Sequence, residues 1–431
     1  MKQQQLNNVM KKFKQAFSEV ELEQLADQTG FCQRRRIITP YRLMIALVES
    51  LSTGRIETLA DILRAFNGLH GKSVQYKPFH NQLAKEQFPQ WMMALCQRLM
   101  EKLSDEALHF TEQSPFSRFN HILLHDGSSF ALKPALHTLF PGRFNKVSPA
   151  AVELHVTLDL FTETPQTIIL APDTNSEVHY APEAETISGG LLMADRMFFI
   201  KSYLAEIAEK NGHFLVKAKG TLNPLIDHAF REDGREIKSW RGKRLNDVKS
   251  QFGRYKTLDL DVNWKGKAYH LNARLVITWN RKQKRPRYLV TNLPRDQFSI
   301  EQVCDGYRLR WQVELMFKEW KSYANLHAFD TRKSPIAEGL IWASLCAAIL
   351  KRFLAYAAQR VYQVTISTRK AAMSLRYVLT DIFVALIHHG RKLRRAMMRA
   401  LQHLAGNAKR AHPKRDKLTG RSKLKLEPVF G

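Results

Sequence analysis

A change of hydrophobic periodicity near Asn120 limits the fold of this chain more than any other feature. Before it, apolar residues recur at helical spacing, and Thr39-Pro40 marks the start of one helix. After it, the apolar residues of segment 151–161 alternate strictly, as in a strand. Similar strand patterns cover residues 122–132, 167–171, 191–194 and 214–219, with helical stretches at 181–187 and 200–210. This order predicts an α/β core that begins antiparallel and continues through parallel crossovers.

The rest of the chain predicts a second strand-rich segment and further helices. Residues 225–293 are basic and contain strand patterns at 255–264, 267–279 and 287–291, with a hairpin tip at 280–282, so we expect an inserted sheet domain. The apolar run 339–350 is too short to cross a bilayer and predicts a buried helix. Residues 391–431 hold thirteen Lys or Arg against two acids. Part of this stretch fits a helix, and its end predicts a disordered tail that binds phosphates.

The N-terminal helices are compatible with two interpretations. Short helices joined by glycine-containing turns fit a helix-turn-helix-like DNA module, and they fit a plain helical bundle equally well. The Arg34-Arg35-Arg36 run is typical of a loop that faces solvent or phosphates rather than of a base-reading helix. These residues alone leave the choice open.

The charge balance points to a polyanionic partner. The chain has 67 Lys and Arg against 40 Asp and Glu, a formal net charge of +27. Such an excess repels itself in a folded protein unless a polyanion relieves it, and nucleic acid is the usual one. An anionic membrane surface and a ribosomal role are the alternatives. Since the first residues lack a signal-peptide core and the four cysteines form no CxxC pair, we expect a cytoplasmic protein.

Two aspartates stand at strand positions where carboxylates are unusual. Asp126 follows the apolar strand residues 122–124 and His125, and Asp195 directly follows the apolar strand 191–194. A buried carboxylate is costly unless it is paired or metal-bound, and the carboxyl ends of central strands commonly hold active sites. The alternatives are a solvent-facing edge strand for Asp126 and a helix N-cap for Asp195.

A third acid lies in a helical pattern with two cations and a tyrosine. Steps of 3, 4 and 7 residues place four side chains on one predicted helical face: Tyr307, Arg310, Glu314 and Lys321. Glu314 could bind a metal ion while the cations bind DNA phosphates. An ordinary surface helix with salt bridges is the alternative, because Lys318 and Glu319 are nearby.

Together these motifs resemble the DDE transposases of bacterial insertion sequences. The pattern is similar to the family named after insertion sequence 4, whose signature is Tyr-x2-Arg-x3-Glu-x6-Lys. Here that signature runs from Tyr307 through Arg310 and Glu314 to Lys321, and every spacing matches. The two aspartate motifs match as His125-Asp126-Gly127-Ser128 and as Ala194-Asp195-Arg196-Met197-Phe198.

The resemblance implies a domain organisation. It predicts an α/β, multi-domain protein with a ribonuclease-H-like catalytic core at residues 116–224 and 294–335. A β-rich domain at 225–293 would be inserted into this core. A helical DNA-binding domain at 1–115 and a helical C-terminal region with a basic tail at 336–431 would flank it.

The resemblance also implies an activity, which is cut-and-paste transposition through hairpin ends. Asp126, Asp195 and Glu314 would hold two Mg²⁺ ions, for which Mn²⁺ substitutes, and Tyr307, Arg310 and Lys321 would grip DNA. The partners would be duplex DNA, as terminal inverted repeats and target, and a second copy of the chain in a homodimer on paired ends. No membrane partner is expected, and the site of action would be the nucleoid in the cytoplasm.

Other interpretations of the same residues remain. A ribonuclease-H-like nuclease or resolvase would share the acids but would cut without joining. A DNA-binding or architectural protein without catalysis would need the charge but not the acids, and an inactive transposase copy would keep the motifs. Related enzymes trap a flipped base on an aromatic side chain of the inserted domain. Trp264 and Trp279 are candidates for that role, although packing in the sheet core suits them better.

Overall fold

The computed structural model describes residues 2–32, 34, 36–54, 56–144, 146–280, 285–324, 326, 331–388, 390–411 and 421–430. The helices before the main sheet are α1 (Lys2–Ala16), α2 (Glu19–Gln28), α3 (Pro40–Thr53), α4 (Leu59–His70), α5 (Tyr76–Leu83) and α6 (Gln87–Leu103). Within the sheet region lie α7 (Lys201–Glu209) and α8 (Leu245–Val248). The later helices are α9 (Ile300–Arg308), α10 (Trp311–Tyr323), α11 (Ser334–Tyr362), α12 (Thr368–Leu375), α13 (Leu379–His388) and α14 (Gly390–Asn407).

The strands of the first half are β1 (Leu108–Phe110), β2 (Ile122–Ala131), β3 (Pro141–Phe144), β4 (Ser148–Asp159), β5 (Pro165–Pro172), β6 (Leu191–Ala194) and β7 (His213–Ala218). Those of the second half are β8 (Leu225–Arg231), β9 (Thr257–Lys265), β10 (His270–Asn280), β11 (Arg285–Thr291) and β12 (Leu426–Pro428). The main sheet has the order β3-β4-β2-β6-β7-β11-β10-β9-β8, and β5 also pairs with β4.

The predicted α/β core is confirmed in its strands and their directions. β2, β4 and β5 pair antiparallel, whereas β2, β6 and β7 pair parallel. The predicted helix at 200–210 is α7, and the stretch at 181–187 contains only a short 3₁₀ turn, Ala184–Ile187. β6 is buried along its whole length, which explains its unbroken apolar run.

The strand-rich segment 225–293 continues the same sheet. β11 pairs antiparallel with β7, with Tyr288 opposite Ala218, and β10, β9 and β8 follow outward. The predicted strands are therefore confirmed, but they are hydrogen-bonded to the core sheet and do not form a separate one. At the predicted hairpin tip, Arg281 and Lys282 lie outside the described residues.

Helices from both ends of the chain pack around α11. This helix contacts α1, α3, α6 and α14, and its apolar stretch is fully buried although it is long and apolar enough to cross a membrane. The prediction of a buried helix at 339–350 is thus confirmed. α3 begins as predicted, with Pro40 in its first turn and the Thr39 hydroxyl accepting from the Arg42 N–H. In the Arg34–Arg36 run, Arg34 and Arg36 are exposed and Arg35 lies outside the described residues.

The end of the chain is ordered, which contradicts the predicted disordered tail for residues 421–430. β12 pairs antiparallel with β1, and Leu424 and Leu426 are buried. The buried Arg421 guanidinium binds the Glu163 carboxylate and, at 2.7 Å, the Gln312 side-chain oxygen. The basic composition of this segment did not reveal its order, because Glu163 and Gln312, which bind Arg421, are distant from it in sequence. Residues 412–420 of the predicted tail lie outside the described residues.

Arg421→Gln is expected to destabilise the protein by about 3 kcal/mol, because it removes one partner of a buried charge cluster. Of the described cations that bind its carboxylate, Glu163 would keep Arg352, whose guanidinium lies 3.4 Å away. Urea unfolding monitored by fluorescence would measure the change. The matched control is Arg235→Gln, since Arg235 is exposed and pairs with Asp233 at the surface. Equal stability of the two variants would contradict a structural role for the C-terminal segment.

Candidate active site

Asp126 lies in the interior of the sheet. Because β2 runs between β4 and β6, the alternative of an edge strand is wrong. The side chain is only 19% exposed, and one Oδ2 oxygen lies 3.0 Å from the Arg310 guanidinium. Burial raises the pKa of Asp126 to about 6, although Arg310 acts in the opposite direction. This carboxyl therefore depends on a nearby cation to ionise readily.

Asp195 lies immediately after β6, next to β2. Its Oδ1 accepts a hydrogen bond of 2.6 Å from the Arg196 N–H and caps the 3₁₀ turn Arg196–Phe198. The N-cap alternative is therefore correct as a description of this contact. The Asp195 carboxylate is also close enough to Asp126 to raise the pKa of that carboxyl. Capping and participation in an acidic site are compatible here.

The four signature residues do not lie on one continuous helix, which corrects the sequence prediction. Tyr307 belongs to α9, Arg310 is the N-cap residue of α10, and Glu314 and Lys321 belong to α10. Between the helices the chain forms i→i+3 hydrogen bonds, including Arg310 N–H to the Tyr307 carbonyl at 3.3 Å. In such a tighter turn the side chains of residues three apart point in nearly the same direction. The Arg310 guanidinium therefore still lies over the Tyr307 ring, 5.9 Å from its centre.

Arg310 joins two of the three acids. Its guanidinium bonds to both the Asp126 and the Glu314 carboxylates, and all three side chains are less than one quarter exposed. Burial lowers the pKa of Arg310, but Tyr307 and the three acids together raise it above its ordinary value. The structure thus brings Asp126, Glu314 and Arg310 into direct contact and places Asp195 within electrostatic reach.

Lys321 lies further along the same face of the sheet. Its ammonium group is 5.0 Å from the centre of the Phe130 ring, and Phe130 is four residues beyond Asp126 in β2. Burial lowers the pKa of Lys321. Lys321 therefore contacts β2 four residues beyond Asp126 and lies seven residues beyond Glu314 in α10.

The donor set fits a divalent cation. Carboxylate oxygens are the hard ligands that Mg²⁺ and Mn²⁺ prefer. Among the described residues, no three Asp, Glu, His or Cys side chains converge closely enough to hold an ion as they stand. The Arg310 guanidinium lies between two of these acids, so a cation already occupies the position where their charges meet.

The opposite face of β2 holds a second polar group that the sequence analysis missed. Gly127 lies opposite His155 on β4, and a Cβ at Gly127 would be 2.9 Å from Glu153 Oε1 and 3.2 Å from His155 Nδ1. Burial raises the pKa of Glu153 to about 7, with Glu177 adding to this effect. Polar residues at alternate positions of β4 were the available signal, hidden among the apolar residues of its other face.

Wild-type stability is expected to fall relative to Glu153→Gln as pH rises from about 5 to 8. The raised pKa means that the folded protein keeps the Glu153 proton up to about pH 7, while the unfolded chain releases it near 4.5. Stability therefore declines across this interval, by up to about 3 kcal/mol. Urea unfolding at several pH values measures it, with exposed Glu232→Gln as control. Parallel curves for wild type and Glu153→Gln would contradict the prediction.

The two tryptophans proposed for base trapping differ in exposure. Trp264 is buried and packs edge-on against Phe199, so it belongs to the sheet core. Trp279 is partly buried and packs against the same core, with its ring 3.5 Å from where a Cβ of Gly253 would lie. Trp264 is therefore a residue of the sheet core, whereas Trp279 is partly exposed.

Comparison with known proteins identifies the domain. Residues 118–350, more than half of the chain, match the family described as transposase DDE domain. The transposase of insertion sequence element IS1151 from Clostridium perfringens is 20% identical over 83% of this chain and 82% of its own length. That of IS231E from Bacillus thuringiensis subsp. finitimus is 21% identical over 91% of this chain and 89% of its own.

Two further similarities were found. The transposase of IS421 from Escherichia coli is 50% identical over 62 residues, 14% of this chain and 17% of its own. A cryo-EM structure of the piggyBac transposase synaptic complex with hairpin DNA aligns with 93% of this chain and 85% of its own, at a TM-score of 0.45 and 12% identity. The matched domain contains both aspartates and Glu314, and the chain belongs to the transposases with a DDE domain, enzymes that cleave DNA in the transposition of insertion sequences.

Proposed function

We propose that this protein catalyses cut-and-paste transposition, with Asp126, Asp195 and Glu314 as the three acids of its active site. The observation that supports this most is the Arg310 bridge: the guanidinium of Arg310, at the start of α10, binds both Glu314 and Asp126, which is 184 positions away in sequence and lies on an interior strand of the sheet. A metal-dependent nucleotidyl transferase requires carboxylates from separate elements that converge on one point, and here Asp126 and Glu314 converge on the Arg310 guanidinium.

The acids would hold two Mg²⁺ ions, with Mn²⁺ as a substitute. When bound, the ions supply Lewis-acid stabilisation of the attacking and leaving oxygens of the phosphodiester. Arg310 offers a planar pair of donors for one phosphate, and Lys321 a point charge for another. The Tyr307 ring packs against the Arg310 guanidinium and would help to orient it.

The fold proposed for this core is ribonuclease-H-like, within the family named after insertion sequence 4. It is supported by the spatial order β5-β4-β2-β6-β7. In chain order, Asp126 lies on the first of these five strands, β2, Asp195 directly follows the fourth, β6, and Glu314 comes after the fifth, β7. The segment between Asp195 and Glu314 contributes β8 to β11, as the family's insertion would. The domain limits proposed above, 1–115, 116–224 with 294–335, 225–293 and 336–431, follow the same scheme.

The partners of this reaction would be the terminal inverted repeats and target DNA, bound by a homodimer in the cytoplasm at the nucleoid. The direct test is strand transfer with Mg²⁺, a pre-cut duplex carrying the element's own terminal repeat, and a supercoiled target. Joined product on a gel is expected, and an uncut end should give a hairpin that migrates anomalously under denaturing conditions. Cleavage without any joined product would contradict the transposition proposal and favour a nuclease.

A further inference from the structure

One part of the main sheet projects beyond the edge where the acids lie. β6 ends at Ala194, which pairs with His125, whereas β2 continues for six residues after His125. β4 pairs with this extension of β2, and β3 pairs with the start of β4. We call this projection, residues 127–144 and 146–152, the arm.

The arm is fixed to the rest of the sheet. Just after β5, the Asp173 carboxylate accepts hydrogen bonds from the Ser129 hydroxyl and, at 3.0 Å, from the Arg143 N–H. The Arg143 guanidinium donates to the Asp173 carbonyl oxygen at 3.0 Å. Leu136 and Phe140 are buried within the arm. These contacts hold the side chains at its tip in a defined position relative to the acids.

The tip of the arm exposes two apolar side chains among cations. Val147 and Phe144 are 89% and 67% exposed, the two highest values among the large apolar side chains that the structure describes. Between Gly127 and Val152 the sequence has no Asp or Glu, and its three Lys and Arg side chains are exposed: Lys133, Arg143 and Lys146. An exposed aromatic ring beside cations fits a polyanion that also offers apolar surface.

The strand register places Phe144 on the same side of the sheet as Asp126. Asp126 lies opposite Val156 of β4, and Phe144 lies opposite Ser148, eight residues away on the same strand. Side chains alternate between the two faces of a sheet, so an even separation returns to the same face. Eight residues span about 27 Å at about 3.4 Å each. This length corresponds to about eight base pairs of duplex DNA.

The charges of the tip distinguish between two partners that could cover it, duplex DNA and a second copy of this chain. The chain has a formal net charge of +27, so a second copy would bring more positive charge to the cations of the tip. DNA brings the opposite charge. Proteins that bend DNA insert apolar side chains such as Phe between base pairs, so DNA also accommodates the apolar residues.

We propose that the arm deforms the duplex bound at the acids, with the Phe144 ring inserted between base pairs about eight base pairs from the cleaved bond. This inference rests on the proposed function, because it places DNA at Asp126, Asp195 and Glu314. Val147 lies beside the opened base step in this arrangement. The arm therefore favours positions in a duplex that unstack easily, without reading base edges.

The test uses 2-aminopurine, a base analogue whose fluorescence rises when it unstacks. Duplexes with the element's own terminal repeat carry one 2-aminopurine at successive positions on both sides of the cleaved bond, and the full-length protein is added without metal. The wild-type protein is expected to raise the fluorescence severalfold at a position about eight base pairs from that bond. Phe144→Ala should abolish the rise, and Phe144→Leu, which keeps an apolar wedge, should retain it.

A mismatch at the responsive position provides a second measurement. A mismatched base costs less to unstack, so the wild-type protein should bind this duplex about tenfold more tightly than the matched one, as measured by anisotropy. Phe144→Ala should bind both duplexes equally. The matched control is Tyr377→Ala, which removes another exposed aromatic side chain outside the arm and should behave as wild type in both measurements.

A wild-type signal that is absent, or confined to the base pairs at the cleaved bond, would overturn the inference, as would a signal that Phe144→Ala retains. Sedimentation velocity without DNA tests the other partner. If Phe144→Ala dissociates an oligomer and the wild-type protein changes no fluorescence at the distant positions, the tip binds a second copy. Thermal unfolding of the variants at the wild-type midpoint shows that they are folded.

The two proposals can fail separately. If the wild-type protein gives no strand transfer while the distant signal depends on Phe144, transposition is contradicted and the arm remains a wedge for DNA. If strand transfer occurs and no signal depends on Phe144, the inference about the arm is wrong and the proposed function stands.

Discussion

Asp126→Asn is expected to abolish metal-dependent DNA cleavage and to leave DNA binding largely intact. The substitution keeps the size of the side chain and removes the charge that the buried site uses to hold a cation. Metal ions contribute several kcal/mol to phosphoryl chemistry, and a loss of about 4 kcal/mol corresponds to about a thousandfold lower rate. The rate of nicking of the element's terminal repeat in Mg²⁺ measures it, and Glu314→Gln should behave alike.

Asp233→Asn is the matched control, because Asp233 is an exposed aspartate in the turn after β8. It should cleave at the wild-type rate. Anisotropy with the same duplex distinguishes loss of chemistry from loss of binding, and Asp126→Asn should bind within about threefold of wild type, less than 1 kcal/mol. Cleavage retained by Asp126→Asn at the wild-type rate would show that this residue has no role in the reaction and would contradict its assignment to the active site.

The local features of the fold could be predicted from sequence. Alternating residues in β4 and the unbroken apolar run of β6 depend only on which side of a strand is buried. The helix start at Thr39-Pro40 depends on a side chain and a backbone group three residues apart. The positions of Asp126 within β2 and of Asp195 directly after β6 follow from the same local patterns, so all three predictions needed no knowledge of distant contacts.

Features that depend on distant contacts could not be predicted in this way. The pairing of β1 with β12 and the burial of Arg421 join segments from opposite ends of the chain. The break between α9 and α10 leaves the residue spacing of the signature unchanged, so spacing cannot reveal it. Glu153 was missed because its raised pKa comes from burial, and its position next to Gly127 is a contact between strands.

Arg310→Gln is expected to destabilise the protein without metal and to make its stability depend on Mg²⁺. Removing the guanidinium leaves Asp126 and Glu314 facing each other without a cation, at a cost of about 3 kcal/mol for a largely buried pair. Mg²⁺ at about one hundred times its dissociation constant returns about 2.7 kcal/mol. The wild-type protein should gain less, because Arg310 competes with the ion for the same carboxylates.

Arg295→Gln provides a control with the same chemistry, because Arg295 also bridges two carboxylates, those of Asp259 and Asp261. Asp259 keeps Arg274 as a partner, so this variant should lose stability without any gain from Mg²⁺. Thermal unfolding in EDTA and in Mg²⁺ measures both, at pH 8, which is above the pKa of about 6 that Asp126 has in the wild-type protein. If the two variants respond equally to Mg²⁺, the stabilisation is a general ionic effect, and the acids joined by Arg310 do not form a metal site. A gain confined to Arg310→Gln would mean that the guanidinium and the metal ion occupy the same site in turn. Arg310 must then leave the two acids before the metal ion binds, and its guanidinium becomes free to bind a DNA phosphate.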